Sequence, residues 1–90
     1  MFNFKQKELS YMLFERLKRK FPEVQLVSIT PSFENPEDIW VNLIYPEDED
    51  REIELRELAA EISTDILLDY GYSISITSGE GLEVSEPEFA

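Results

Sequence analysis

Asp65 and Asp69 stand four residues apart, and Glu61 stands four before Asp65, so a helix would carry all three carboxylates on one side. Such a cluster has the chemistry to hold Mg²⁺ or Ca²⁺. Like charges at this spacing also line ordinary solvated helix faces, and the sequence is read as having no metal site. Glu47-Asp48-Glu49-Asp50 is the second acidic run. It lacks the alternating D-x-D-x-D-G pattern and the bidentate Glu of a calcium loop. Placed at the start of a helix, its charges meet the exposed N–H groups and the positive end of the dipole. The only glycines are Gly71, Gly79 and Gly81, and Gly79-Glu80-Gly81 is too short and too negative to cradle a phosphate. The chain has neither histidine nor cysteine. No imidazole stands ready to activate a Ser or Thr, no thiolate is present, and no motif marks a Ser–Lys pair. The expectation is a protein that is not an enzyme and uses no cofactor.

Twenty acids against eight bases leave a net charge of −12. The charge is uneven: residues 1–20 hold six of the eight Lys/Arg and are net +4, whereas residues 21–90 are net −16. An anionic chain repels phosphate backbones and anionic headgroups, so nucleic acid and membrane surfaces are not expected partners. A basic protein is the complementary one; the alternative is that the charge serves solubility alone. No disulfide framework is available without cysteine, which fits a reducing compartment. The start, Met1-Phe-Asn-Phe-Lys-Gln-Lys-Glu, contains no apolar signal region, and no stretch approaches the ~20 apolar residues of a membrane span. A cytoplasmic location is expected.

Ninety residues, 42% of them hydrophobic, suit one small folded domain. The spacing predicts a helix over Phe4–Lys20, with Asn3 and Gln6 forming a capping box and Leu9, Leu13, Phe14 and Leu17 on one face. Pro22 ends it. A β-rich run over Val24–Thr30 is broken by Pro31, and Pro31–Glu37 reads as a loop. Ile39–Tyr45 alternates as a strand, with Ile39, Val41, Leu43 and Tyr45 on one side and Trp40, Asn42 and Ile44 on the other. A second helix is expected from about Arg51 to Tyr70, closed by Gly71, with Leu55, Leu58, Ala59, Ile62 and Ile66 as its main stripe. Tyr72–Ser78 is the last alternating strand. The order αββαβ gives an α+β domain over residues 1–78, a three-stranded mixed sheet with both helices on one face. Residues 79–90 read as an acidic tail, in which Leu82–Val84 has the pattern of a short edge strand.

The segment Pro36–Ile76, from Pro-Glu-Asp-Ile-Trp-Val-Asn-Leu-Ile to Leu-Asp-Tyr-Gly-Tyr-Ser-Ile-Ser-Ile, resembles the back half of a minimal nucleotidyltransferase domain. The resemblance implies Asp38 as the first residue of that family's Asp-x-Asp metal pair. Trp40 stands where the second Asp belongs, and Thr30-Pro-Ser32 stands in place of the Gly-Ser turn. Two carboxylates are needed to hold Mg²⁺ on a triphosphate, so the resemblance implies at most a degenerate, inactive nucleotide- and Mg²⁺-binding relative. The element order is also similar to that of the cytoplasmic domain of cation-diffusion transporters, whose metal-binding histidines have no counterpart here.

Two apolar sets have no partner once the core is assigned. Ile53, Ala60 and Leu67 recur every seven residues on the second helix, away from its main stripe and with Leu68 nearby. Trp40 and Ile44 project from the sheet face that the helices leave open. Either the first helix and the tail cover them, or another molecule does. The reading taken forward is protein–protein interaction through Trp40, Ile44, Ile53, Ala60 and Leu67. The protein would act as a homodimer or as the acidic subunit of a two-component regulatory complex with a basic partner.

Overall fold

A computed structural model describes residues 3–32, 35 and 37–79. The element order is α1 (Phe4–Lys20), β1 (Gln25–Pro31), β2 (Ile39–Ile44), α2 (Glu49–Tyr70) and β3 (Ile74–Ser78). This is the α+β fold expected from the sequence. β2 lies in the middle of the sheet, antiparallel to β1 and parallel to β3. A parallel neighbour requires a crossover, and α2 is that crossover.

α1 begins where the sequence says it should. The Asn3 side chain accepts the Gln6 N–H at 2.8 Å, and Gln6 Oε1 accepts the Asn3 N–H at 2.9 Å. Leu9, Leu13 and Leu17 bury the inner face. In the last turn Lys18 Nζ donates to the carbonyls of Pro22 and Val24 at 3.1 and 2.8 Å, so a cation satisfies acceptors in the turn that follows the helix. α2 starts two residues earlier than the sequence suggests, because Asp48 is its N-cap and accepts the Arg51 N–H at 3.0 Å. It ends at Gly71, whose φ of 77° lies in the left-handed region that a side chain disfavours.

The strands shift slightly against expectation. β1 runs on through Pro31, opposite Ile39, because β1 is an edge strand and a proline there removes no ladder bond. The ladder continues a step further, with the Ser32 N–H on the Asp38 carbonyl at 2.8 Å. Tyr45 lies just beyond β2 yet is buried, and Tyr72 precedes β3. Between Leu26 and Ser28 the register slips by one residue at Val27. Val27 is buried, and a Cβ added to Gly79 would come within 2.8 Å of its Cγ2, so only glycine fits at Gly79 without displacement.

One core joins the layers. Leu9, Leu13, Leu17 and Phe21 from α1 and its cap meet Leu55, Ala59, Ile62 and Ile66 from α2 over Ile29, Ile39, Val41, Leu43 and Ile74. At the end of α1, the Arg51 guanidinium sits 5.0 Å from the Phe21 ring centroid, is paired with Glu23 and donates to the Lys20 carbonyl. This contact fixes the start of α2 against the α1–β1 turn. Leu82–Val84, read as a short edge strand, falls outside the described residues.

Candidate functional site

Helical projection divides the exposed part of α2 into two unlike flanks. With its buried stripe as reference, Ile53, Arg56, Ala60, Ser63 and Leu67 lie about 110° to one side at 3.6 residues per turn. Glu54, Glu57, Glu61 and Asp65 lie roughly as far to the other side. The first flank borders β3. Arg56, Ala60 and Ser63 line a groove with Ser75 and Ile76, and Ser63 and Leu67 line its continuation with Ser73 and Ile74. At about 210 and 140 Å³ these open depressions fall short of the ~300 Å³ that small-molecule pockets begin at. They suit a protein surface better than a small ligand.

β3 adds a second feature to this flank. In a parallel pair, alternate residues direct N–H and C=O to the same neighbour. Ser73 O accepts the Ile39 N–H at 2.9 Å and the Gly79 N–H donates to Leu43 O, so the odd-numbered residues face β2. The backbone groups of Ile74 and Ile76 therefore point to the outer edge, where no strand pairs among the described residues. Charge is absent here too: Gly71–Gly79 contains no ionisable group except the Tyr72 phenol. The one charge on the neighbouring helix strip is Arg56. It lies 4.9 Å from the Tyr45 ring centroid and 3.5 Å from Glu52, so it is locally compensated.

The residues singled out in the sequence fall into two places. Ile53 is 53% exposed, Leu67 is 50% exposed, and Ala60 between them is exposed, all on the α2 strip. Trp40, 39% exposed, and half-buried Ile44 lie on the opposite face of the sheet. Between these two sits Asn42, only 5% exposed. Its Nδ2 donates to Ser28 Oγ at 3.0 Å, Thr30 Oγ1 at 3.1 Å and Ser28 O at 3.3 Å, and its Oδ1 accepts from Thr77 Oγ1 at 2.6 Å. The open face is thus divided by a satisfied polar cluster. The β3 edge at Ile74 and Ile76, where no strand pairs among the described residues, and the Asn42 cluster both escape a reading of helix periodicity. Their signals were the uncharged run before Gly79 and a polar residue inside an otherwise apolar β2.

The remaining chemical candidates are dispersed. Among the described residues no three His, Cys, Asp or Glu side chains are grouped to hold a metal. Asp38 lies in the turn before β2, its N–H on the Asn35 carbonyl at 2.9 Å. A broader depression of about 410 Å³ is bounded by Phe4, Tyr11 and Met12, but all its lining residues belong to α1. No described helix is long and apolar enough to cross a membrane.

Tyr45 is the one buried side chain whose polar atom lacks a partner among the described residues. Burial pushes its phenol above the usual 10.0; Arg56 opposes the shift and Glu52 adds to it. The folded state therefore favours the neutral phenol. Its contribution is fully present below pH 10 and is lost as pH rises through the higher folded value. Tyr45→Phe is expected to hold or raise stability by up to about 1 kcal/mol at neutral pH. It should also flatten the decline above pH 10, as read by urea melts from pH 7 to pH 11; an unchanged alkaline slope would contradict this.

No family model matches the chain, and neither the curated proteins nor the solved structures contain a significant match.

Proposed function

We propose that this protein is a non-catalytic interaction module of the cytoplasm, a homodimer or the acidic subunit of a two-component regulatory complex. The observation that carries the reading is that Ala60 and Leu67 of the Ile53–Ala60–Leu67 strip adjoin the β3 edge at Ile74 and Ile76, where no strand pairs among the described residues. Each feature alone is common on small domains. Together they form a surface whose single charge, Arg56, is matched by Glu52, in a molecule of net charge −12, with exposed apolar side chains beside outward backbone groups of Ile74 and Ile76 that no strand pairs among the described residues. Sheet edges left in this condition are templates for pairing with another chain. The strong overall charge argues against nucleic acid as that partner.

Trp40 offers a secondary contact at most, since Asn42 and its hydroxyl partners occupy the centre of that face.

A photo-crosslinking residue at Thr64, exposed beside Ala60 on α2, tests the reading in the cells that naturally make the full chain. A discrete protein adduct is expected there, and a weaker one or none from the same residue at Glu57 on the acidic flank. Absence of any discrete adduct at Thr64 would remove the reading.

A further inference from the structure

We infer that the occupant of the β3 edge is a second copy of this chain, with β3 pairing antiparallel to its symmetry mate. The inference rests on the interaction reading above and names its partner. A two-fold axis perpendicular to the sheet would join two three-stranded sheets into one of six. Both helical layers would then lie on the same side, and the two α2 strips would run antiparallel beside the joint.

Charge selects this occupant. A basic partner needs carboxylates to meet, and those of α2 between Ile53 and Leu67 stand on the opposite flank, at Glu54, Glu57, Glu61 and Asp65. On the strip, Arg56 is the single charge and is already matched by Glu52. A cation docking on this strip would find no counter-charge. A second copy finds an identical neutral strip, and the two acidic flanks turn away from each other. The dimensions are modest: Ile53 to Leu67 spans about 21 Å along α2, and the outward Ile74 and Ile76 stand roughly 7 Å apart along β3. A contact of that footprint belongs to the small class burying less than about 1,200 Å² in total, which associates weakly and reversibly.

Two molecules of net charge −12 repel at long range, and salt screens that repulsion. Self-association should therefore strengthen with salt, whereas pairing with a basic protein would weaken.

The experiment is sedimentation of the purified full chain from about 1 µM to about 1 mM, in low and high NaCl, with amide exchange by NMR at both ends of the range. The expected result is a monomer–dimer equilibrium that tightens several-fold between about 0.05 and 0.5 M NaCl. The Ile76 amide, directed to the open edge, should exchange fast in dilute protein and at least about tenfold slower in the dimer. Ala60→Glu should abolish dimerisation and leave the circular dichroism spectrum and thermal midpoint of the monomer unchanged.

Four results would overturn the inference: a strict monomer at about 1 mM, a dimer in which Ile76 exchange does not change, a dimer weakened by salt, or a slow Ile76 amide in dilute monomer. The last would mean that residues 80–90 of the same chain occupy the edge. A purified monomer combined with a discrete adduct to a different protein at Thr64 would remove only the second copy and leave the interaction reading standing. Absence of both would remove both.

Discussion

Replacing Phe21 with alanine is expected to cost about 3–5 kcal/mol of folding stability, the usual range for truncating a buried aromatic. A 90-residue domain has roughly 5–13 kcal/mol in total, so this one change would consume a large share. The site justifies the figure. Phe21 is fully buried at the C-cap of α1, its N–H bonds to the Leu17 carbonyl at 2.8 Å, and its own carbonyl accepts the Val24 N–H at 3.1 Å. Arg51 of α2 lies over the ring. Truncation leaves a cavity where α1, the turn into β1 and the start of α2 converge, and takes away the surface against which Arg51 rests. Phe21→Leu, which refills most of the volume, should lose about 1–2 kcal/mol. Urea unfolding followed by circular dichroism measures both. A loss below about 1 kcal/mol for the alanine variant would show that the junction is not packed as described.

Asn42→Asp is expected to lose several kcal/mol at neutral pH and to regain much of it in acid. The substitution is nearly isosteric, so shape is not the cause. Asn42 Nδ2 donates to the Ser28 carbonyl and to two hydroxyls; an aspartate oxygen in that place would face the carbonyl as a second acceptor. The position is also almost closed to water. Burying the ionised form there costs several kcal/mol, so the carboxyl should titrate above its ordinary range in the folded protein. The sign follows directly: a raised folded pKa leaves stability intact below about pH 3.9 and removes it as pH rises through the folded value. Wild-type protein compared at the same pH values provides the reference for the other acids. A variant whose deficit is the same at pH 4 and pH 8 would show that Asn42 is hydrated or that its hydroxyl neighbours turn to donate. Asn42→Ala separates the two effects, because it removes the bonds without adding charge and should cost about 1–3 kcal/mol at all pH values.

Local rules made much of the fold legible. The Asn3–Gln6 capping box, the Leu9–Leu13–Leu17 stripe and Gly71 placed the helices because each signal acts within a few residues of chain. Two boundaries moved, one at a local cap and one at a sheet edge. Asp48 took the cap of α2 in place of a later residue, and Pro31 stayed in its strand because β1 happens to be an edge. Edge or centre is a property of the whole sheet and cannot be read from the run of residues that forms it.

The candidate surface divides in the same way. The heptad spacing of Ile53, Ala60 and Leu67 was written in the sequence, as was the absence of charge from Tyr72 to Gly79. Periodicity fixes which residues share a side of one helix, since 3.6 residues make a turn wherever the helix lies. It says nothing about what stands beside that side. Only the parallel pairing of β3 with β2 set the outward alternation of Ile74 and Ile76. Only the packing of α2 across the sheet laid Ala60 and Leu67 along that edge, on the far side of the sheet from Trp40. Sequence determined the parts and their chemistry because those depend on near neighbours. Tertiary structure decided their adjacency, because that depends on contacts between segments far apart along the chain.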